Sequence, residues 1–302
     1  MTGTTRPTSF KASWHDIIRP TLDDLQTVAD EYALEPTLIK ALLLPTVRPR
    51  AEIFGNFLYI AIHFPVFDEK LKHVQPQEID LAVNAKTLIT VQYAELPFME
   101  EFKLMMAEEE GNSKKSKTTF GSVELLAKIF EKLAEYQQRQ LDHIEQDIRA
   151  LEDSTHQLHE IPAIHSIAHA RRNIIHFRRI VKPQAFVFET LAKRLGEVVG
   201  EKKVECLSNV YEDYLRIMQQ LETHYETLSA LQDTHFSFLT MRTNEAIKVL
   251  TLMMVLFLPF SLLSIIFDMY KDLPIGTKWL FIIELLILEV IFFLWARSKK
   301  IL

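Results

Sequence analysis

The sequence predicts an α+β protein in three parts: an N-terminal cytoplasmic mixed α/β domain over residues 1–118, long stalk helices over 119–243, and a transmembrane hairpin over 244–302. Three observations predict this fold. Strand and turn signals are concentrated in 54–92, a helical repeat of apolar residues begins at Val123, and two long apolar runs lie near the C-terminus.

The first domain begins with two short helices. A helix starts at Pro20 or Thr21, because acidic residues in its first turn suit the positive end of the helix dipole, and it is expected to reach Tyr32. A second helix is predicted from Pro36 to Leu44 and is stopped by the proline that follows.

Strands follow these helices. Phe, Tyr and Ile are enriched in 54–64, with Gly55-Asn56 as a turn, and the strands 78–83 and 87–92 flank a hairpin loop at 84–86. The sequence contains no glycine-rich phosphate loop, nucleophile elbow or CxxC motif. It therefore indicates a protein that is not an enzyme.

The central part of the chain is helical. A polar segment from Glu109 to Ser122 is interpreted as a surface linker, after which apolar residues recur at steps of three and four up to Leu151. A second helix is expected over about 163–195, and a third begins near Lys203 and continues into the first apolar run. A single helix of that extent is roughly 100 Å long, and its amphipathic stripe needs partner helices.

The two C-terminal apolar runs predict membrane helices at about 249–267 and 279–295. The first contains no ionisable side chain, and its 19 residues approach the ~20 that cross a hydrocarbon core of about 30 Å. The second carries two intramembrane carboxylates, Glu284 and Glu289, which are costly in a bilayer and lie about 140° apart around the helix. Either carboxylate can be accommodated there if it is protonated and hydrogen-bonded to Ser261 or Ser264.

Basic residues predict the orientation of this hairpin. Its outer ends carry five of them and its connecting loop two, which by the positive-inside rule places both termini in the cytoplasm of a multi-pass inner (plasma) membrane protein. The outer residues are Arg242, Lys248, Arg297, Lys299 and Lys300, and those of the loop are Lys271 and Lys278. The single cysteine, Cys206, excludes an intramolecular disulfide, and the net charge of −6 argues against nucleic acid as a partner.

Four segments resemble the CorA family of divalent-cation channels, and the resemblance extends over essentially the whole chain. They are Trp14-x-Asp16 with Pro20, Arg48-Pro49-Arg50-x-Glu52 before Phe57-Leu58-Tyr59-Ile60, Leu88-Ile89-Thr90-Val91, and Arg242 to Thr251 leading to Pro259. The resemblance implies a funnel-shaped homopentamer in membrane lipid, with the first membrane helix lining a pore and the second packed outside it. It implies no cofactor other than a transported or regulatory divalent cation, such as Mg²⁺.

The resemblance also assigns pore positions. Asp233 matches an acidic position well below the membrane, and Asn244 matches the polar residue at the inner entrance. Beyond them lie an apolar row and a hydroxyl, namely Ile247, Leu250, Met254, Leu258 and Ser261. An apolar constriction gates ions by dewetting. The alternative is that this face only packs against other helices.

The chain departs from the family at the outer mouth. Asp268-Met269-Tyr270 stands where the family has Gly-Met-Asn, whose asparagine ring meets the hydrated ion. Tyr270 lacks those carboxamide oxygens, whereas Asp268 adds a carboxylate. A ring of such carboxylates favours cations in a pore. Alternatively, Asp268 is an exposed residue at a helix end.

A regulatory metal site is less well matched. The family places an acidic residue before a Val-Tyr pair, whereas this chain has Asn209 there, with Glu205, Glu212 and Asp213 nearby as substitutes. These residues alternatively form a solvated helix face. His165, His169 and His176 share one helical face and form a further candidate for transition-metal binding.

Two functions are compatible with these features. The first is a CorA-like channel or transporter for Mg²⁺, another divalent ion or less selective cations. The second is a pentameric scaffold or regulatory protein that has lost transport together with Gly-Met-Asn.

Overall fold

The computed structural model describes residues 12–68, 73–112, 120–154 and 161–269, together with single positions between 274 and 294. The chain divides into two compact units, Met1–Leu231 and Gln232–Leu302. The strands are β1 Ser13–Ile18, β2 Arg50–Phe54, β3 Phe57–Asp68, β4 His73–Val83 and β5 Thr87–Gln92. The helices are α1 Leu22–Tyr32, α2 Pro36–Leu43, α3 Pro97–Asn112, α4 Ser122–Ser154, α5 Ile161–Val181, α6 Ala185–Val199 and α7 Ser208–Met269.

The first unit is built on a five-stranded sheet in the order β1-β5-β4-β3-β2. β1 pairs parallel with β5, and the remaining neighbours are antiparallel. Both faces of the sheet are apolar, so both need a helical cover. Tyr59, Ala82 and Ile89 face α1 and α2, whereas Ile60 and Leu81 face the longer helices.

The helix start predicted at Thr21 is confirmed. Thr21 is the N-cap of α1, and its hydroxyl accepts a hydrogen bond from the Asp24 amide at 3.2 Å while the Asp24 carboxylate accepts one from the Thr21 amide at 3.1 Å. This reciprocal capping box satisfies two amides that the first helical turn leaves unpaired. The helix ends before Ala33, which adopts a left-handed conformation with φ 52°.

Both predicted turns are confirmed. Gly55 connects β2 to β3 with φ +57°, and a Cβ at this position would lie 2.8 Å from Oε1 of Glu35, so only glycine fits without a shift of that side chain. Between β4 and β5, Oδ1 of Asn84 accepts hydrogen bonds from the amides of Lys86 at 2.9 Å and Thr87 at 2.8 Å. The asparagine thereby fixes the hairpin loop.

The Trp14-x-Asp16 motif ties β1 to its neighbours. Asp16 accepts hydrogen bonds from Thr90 at 2.5 Å and from Gln92 at 2.7 Å, both on β5, and forms an ion pair with Lys103 of α3 at 2.8 Å. The Trp14 indole donates to the Thr90 hydroxyl at 3.2 Å. In this chain the motif therefore has a structural role.

The predicted elements need correction in three places. Strand β1 and helix α3 were not predicted, and α3 includes residues 109–112 of the supposed linker. The helix expected over about 163–195 is interrupted by a 3₁₀ turn at Lys182–Gln184, because Pro183 has no amide hydrogen to continue the helical bonds. The third helix begins at Ser208 rather than near Lys203.

Helices α4 to α6, which the sequence assigns to a stalk, belong to the same compact unit as the sheet. Leu126, Phe130 and Leu133 of α4 are buried in one core with Leu58 and Ile60 of β3. The apolar stripe predicted after Val123 therefore packs on the sheet.

The second unit contains the C-terminal part of α7. In the described part of the chain, one helical stretch, Glu205–Leu262, is long and apolar enough to cross a membrane. Of the second predicted span, 279–295, the structure describes single helical positions only. That span stays a prediction.

Candidate functional site on the C-terminal helix

The apolar row predicted as a pore lining lies on α7 within the second unit. Ile247, Leu250, Met254 and Leu258 are exposed in the single chain by 53%, 57%, 69% and 59%, respectively. Large apolar side chains are usually buried, and a continuous exposed row of them marks a contact with lipid or with another protein surface. The row is therefore a surface that the isolated chain leaves uncovered.

The predicted pore residues share one side of the helix. At 100° per residue, Leu250, Ser261, Met254, Ile247 and Leu258 fall within an arc of about 80°. Asp233, Asn244 and Asp268 extend this arc to about 120°. Polar groups and the apolar row consequently follow one face of α7.

The polar positions are spaced to bracket a bilayer. Asn244 and Asp268 are 24 residues apart, which corresponds to about 36 Å along a helix and slightly exceeds the ~30 Å hydrocarbon core. Pro259 lies inside the helix between them. Because proline has no amide hydrogen, the carbonyl of Val255 loses its helical partner at this depth.

Hydroxyl groups on this helix are bonded to its own backbone. Ser261 donates to the carbonyl of Phe257 at 3.3 Å, and Thr251 donates to that of Ile247 at 2.8 Å. This arrangement allows a hydroxyl to lie in an apolar environment with its hydrogen satisfied. The oxygen lone pairs of Ser261 stay available to a further donor or a cation.

The remaining predicted site residues differ in how far the structure describes them. Asp268 is exposed in the last turn of α7, and Met269 is the last residue of that helix. Glu284 is an exposed helical position. Tyr270 and Glu289 lie outside the described residues.

The candidate regulatory residues lie at the start of α7. Glu205, Asn209 and Glu212 are exposed, and Asp213 is half-buried and pairs with Arg216 at 3.3 Å. Within the described segments, no group of three or more His, Cys, Asp or Glu side chains is arranged to hold a metal ion. The histidine set on α5 is thus not brought together as a metal centre, and the regulatory site stays a prediction.

A buried acidic pair on β4 was not anticipated. Asp80 is fully buried, and its Oδ2 accepts hydrogen bonds from the hydroxyls of Tyr59 at 2.9 Å and Tyr93 at 2.7 Å. Burial, and then the charge of Glu78, raise the pKa of Asp80 to about 8. Oδ1 of Asp80 accepts no hydrogen bond from any described residue. The alternation Glu78-Ile79-Asp80-Leu81 is typical of a strand with a solvated face, so nothing local indicated this burial.

Glu78, unlike Asp80, has a pKa below its usual value. Its carboxylate accepts hydrogen bonds from the Thr46 amide at 2.8 Å, from the Thr46 hydroxyl at 2.9 Å and from His63 at 3.1 Å. Burial acts to raise the pKa of Glu78, but the hydrogen bonds from His63 and Thr46 outweigh it and hold the pKa below its usual value. Glu78 therefore anchors the turn that follows α2.

An α/β unit followed by a helix of membrane-spanning length, with polar groups at both ends of an apolar row, is typical of an integral membrane protein. The chain belongs to the CorA family, because the sequence model of the family described as CorA-like Mg2+ transporter protein matches residues 10–297. This assignment confirms the resemblance found in the sequence.

Individual relatives are distant but extend over most of the chain. The cobalt/magnesium transport protein CorA of Thermotoga maritima is 22% identical over 271 residues, covering 89% of this chain and 76% of its own. The structure of the CorA magnesium transporter from Methanocaldococcus jannaschii superposes with a TM-score of 0.76 at 18% identity, covering 95% of this chain and 90% of that one. The full-length CmaX protein gives 0.75 at 19% identity, with 96% and 88% covered. At such identities the structural matches establish the fold alone.

Proposed function

We propose that this chain forms a homopentameric channel that carries Mg²⁺ or another divalent cation across the inner (plasma) membrane. α7 lines the pore, a second membrane helix over about 279–295 packs outside it, and both termini are cytoplasmic. One observation carries the proposal: a row of exposed apolar side chains on α7, bracketed on the same face by Asn244 and Asp268. Membership of the CorA family supports it.

A pore must be enclosed by protein on all sides. One subunit has too few membrane helices to enclose a water-filled path, so several copies of α7 are needed around an axis. The apolar row then becomes a set of rings, and a narrow apolar ring excludes water and ions until it widens. Carboxylate or carboxamide groups at both ends concentrate cations next to this barrier.

A second function, a pentameric scaffold without transport, is favoured by one observation. Asp268-Met269-Tyr270 replaces the Gly-Met-Asn of the family at the outer mouth. A scaffold conserves assembly but conducts no ions, so only a flux measurement separates the two functions.

The test is ion flux into liposomes that contain the purified full-length protein. Mg²⁺, Zn²⁺, Na⁺ and K⁺ are compared, with protein-free liposomes as the control. The channel proposal expects divalent uptake above this control that follows the amount of protein. An intact oligomer without uptake of any of these ions would support the scaffold instead.

Oligomer number is measured on the same preparation. Native mass spectrometry in detergent is expected to give five times the 35.2 kDa chain mass. The only cysteine, Cys206, is replaced by Ser so that a cysteine introduced at Leu250 reports on the pore axis alone. Rapid disulfide formation between Leu250→Cys subunits, and its absence for Leu252→Cys about 160° away around the helix, would place Leu250 at the axis.

A further inference from the structure

The strongest unassigned feature of the first unit is a cavity of about 920 Å³ beside the N-terminal sheet. The cavity is lined by the turn 45–49 after α2, by residues of β3 and β4, and by the end of α5. This volume lies within the ~300–1,000 Å³ typical of sites for small organic ligands. The cavity lies wholly in the first unit and is separate from the pore row.

The charge of α5 is unusual for this acidic chain. Between 161 and 181 there are four arginines and three histidines and no acidic residue, whereas the whole chain has a net charge of −6. Two of the arginines serve the helix packing: Arg178 pairs with Glu222 of α7 at 3.1 Å, and the guanidinium groups of Arg171 and Arg178 lie 5.6 and 5.3 Å from the ring centre of Tyr225.

The other two arginines lie on a different face. Arg172 and Arg179 are separated by seven residues, or two turns, and both are exposed. At 100° per residue, His165, His169 and His176 fall within about 60° of Arg172. Across the described segments, the side chains of Arg172 and Arg179 form no hydrogen bond or ion pair. The C-terminal end of this basic face of α5 reaches the cavity, which is lined there by His176 and Arg179.

The turn after α2 adds a second guanidinium to the cavity. Arg48 lies on the turn 45–49 and also lines the cavity, and its side chain forms no ion pair with any residue the structure describes. The turn is held in place by Glu78, which accepts hydrogen bonds from the amide and the hydroxyl of Thr46. In addition, a ring nitrogen of His63 lies 3.1 Å from the Thr46 carbonyl oxygen. The wall that carries Arg48 is thereby fixed before any ligand enters.

The balance of charge in the cavity is therefore positive. Among the described residues that line the cavity, Glu78 is the one acid, and its oxygens already accept hydrogen bonds from Thr46 and His63. Within the segments that the structure describes, Arg48 and Arg179 have no acidic partner. Pro45, Pro49 and Ile180 supply apolar surface next to these two guanidinium groups.

We propose that this cavity binds a soluble phosphate-bearing organic anion. Guanidinium groups hold phosphate through paired N–H donors, so Arg48 of the turn and Arg179 of α5 both bind the anionic end. The apolar surface of the prolines and Ile180 receives the uncharged part of the ligand. The structure thus places a small-molecule site in a unit to which the pore function assigns none.

The experiment measures binding of pyrophosphate and ATP by calorimetry, with the full-length protein in phosphatidylcholine nanodiscs and EDTA present so that no metal bridges the contact. ATP is expected to bind more tightly than pyrophosphate, because only ATP fills the apolar part of the cavity. Arg48→Gln and Arg179→Gln are each expected to weaken ATP binding by about 10- to 100-fold, the usual effect of losing a charged hydrogen-bond partner.

Arg172→Gln is the matched control, since it removes the same charge from the same helix face two turns outside the cavity. Equal weakening by all three variants would reduce the effect to general electrostatic attraction and overturn the proposal, as would an absence of ATP binding at millimolar concentration. Competition by phosphatidylglycerol in the nanodisc would overturn the assignment to a soluble ligand in favour of a lipid headgroup. No ion flux is measured, so these outcomes are independent of the pore proposal.

Discussion

Replacing Asp80 by Asn tests the buried acidic pair on β4. Asp80 is inaccessible to solvent, and a pKa raised to about 8 means that it holds its proton in the folded protein at neutral pH. In the unfolded chain the pKa of this carboxyl group has its ordinary value of 3.8, so the proton is released there at a much lower pH. A group with a raised carboxyl pKa contributes stability below its unfolded pKa, and this stability is lost as the pH rises towards the folded pKa.

The magnitude follows from this linkage. Between about pH 4 and pH 8 the wild-type protein loses about 1.4 kcal/mol of stability per pH unit through Asp80. From pH 6 to pH 8 the loss is about 2 kcal/mol, because the slope flattens as the folded pKa is reached. Asn cannot ionise and still offers an oxygen to Tyr59 and Tyr93, so Asp80→Asn removes this loss.

The assay is thermal unfolding of the full-length protein in detergent, followed by circular dichroism at one scan rate at pH 6, 7 and 8. At about 2–4 °C per kcal/mol for a unit of this size, the midpoint of Asp80→Asn should gain roughly 4–8 °C on wild type between pH 6 and pH 8. Asp30→Asn, which neutralises an exposed carboxylate on α1, is the control and should show no such divergence. Parallel pH profiles for wild type and Asp80→Asn would refute the assignment of a buried protonated carboxyl group.

Three further predictions concern the pore row, the outer mouth and the turn after α2. Leu250→Asn should hydrate the apolar ring and increase basal ion leak from a folded oligomer, and an intact variant with unaltered flux would contradict the gate. Asp268→Asn should lower cation flux at low ionic strength and much less in high salt, since screening acts within ~10 Å at 0.1 M; equal flux in both variants at low salt would make Asp268 structural. Glu78→Gln should destabilise the first unit by about 1–3 kcal/mol in denaturant unfolding, because Thr46 and His63 lose a charged partner, and an unchanged midpoint would contradict this anchoring.

The sequence predicted those parts of the fold that depend on neighbouring residues. The capping box at Thr21, the glycine turn at Gly55 and the Asn84 loop each depend on contacts within a few positions, and the structure contains all three. The helix of membrane-spanning length within α7 was also predictable, because an apolar run without charges has few alternatives in water.

Non-local contacts were missed. β1 contains polar residues and is held by parallel pairing with β5, which lies more than seventy positions away, so its own six residues carry a weak strand signal. The burial of Asp80 depends on Tyr59 and Tyr93, which come from two other segments. The cavity beside the sheet is likewise lined by both Arg48 and Arg179, which are far apart in the sequence. Nothing in either segment predicts that the other lies nearby.

The change at the outer mouth bears directly on how such a pore would select ions. A carboxamide ring meets a hydrated cation with dipoles, whereas a carboxylate ring at Asp268 meets it with full charges. Full charges raise the local concentration of every cation, and they also hold a divalent ion longer than a monovalent one. Conduction requires binding that is weak enough for release, so a carboxylate ring gains cation attraction at the expense of divalent turnover. Compared with a carboxamide ring, a carboxylate ring at this position should therefore favour the binding of divalent over monovalent cations and slow the release of divalent ions.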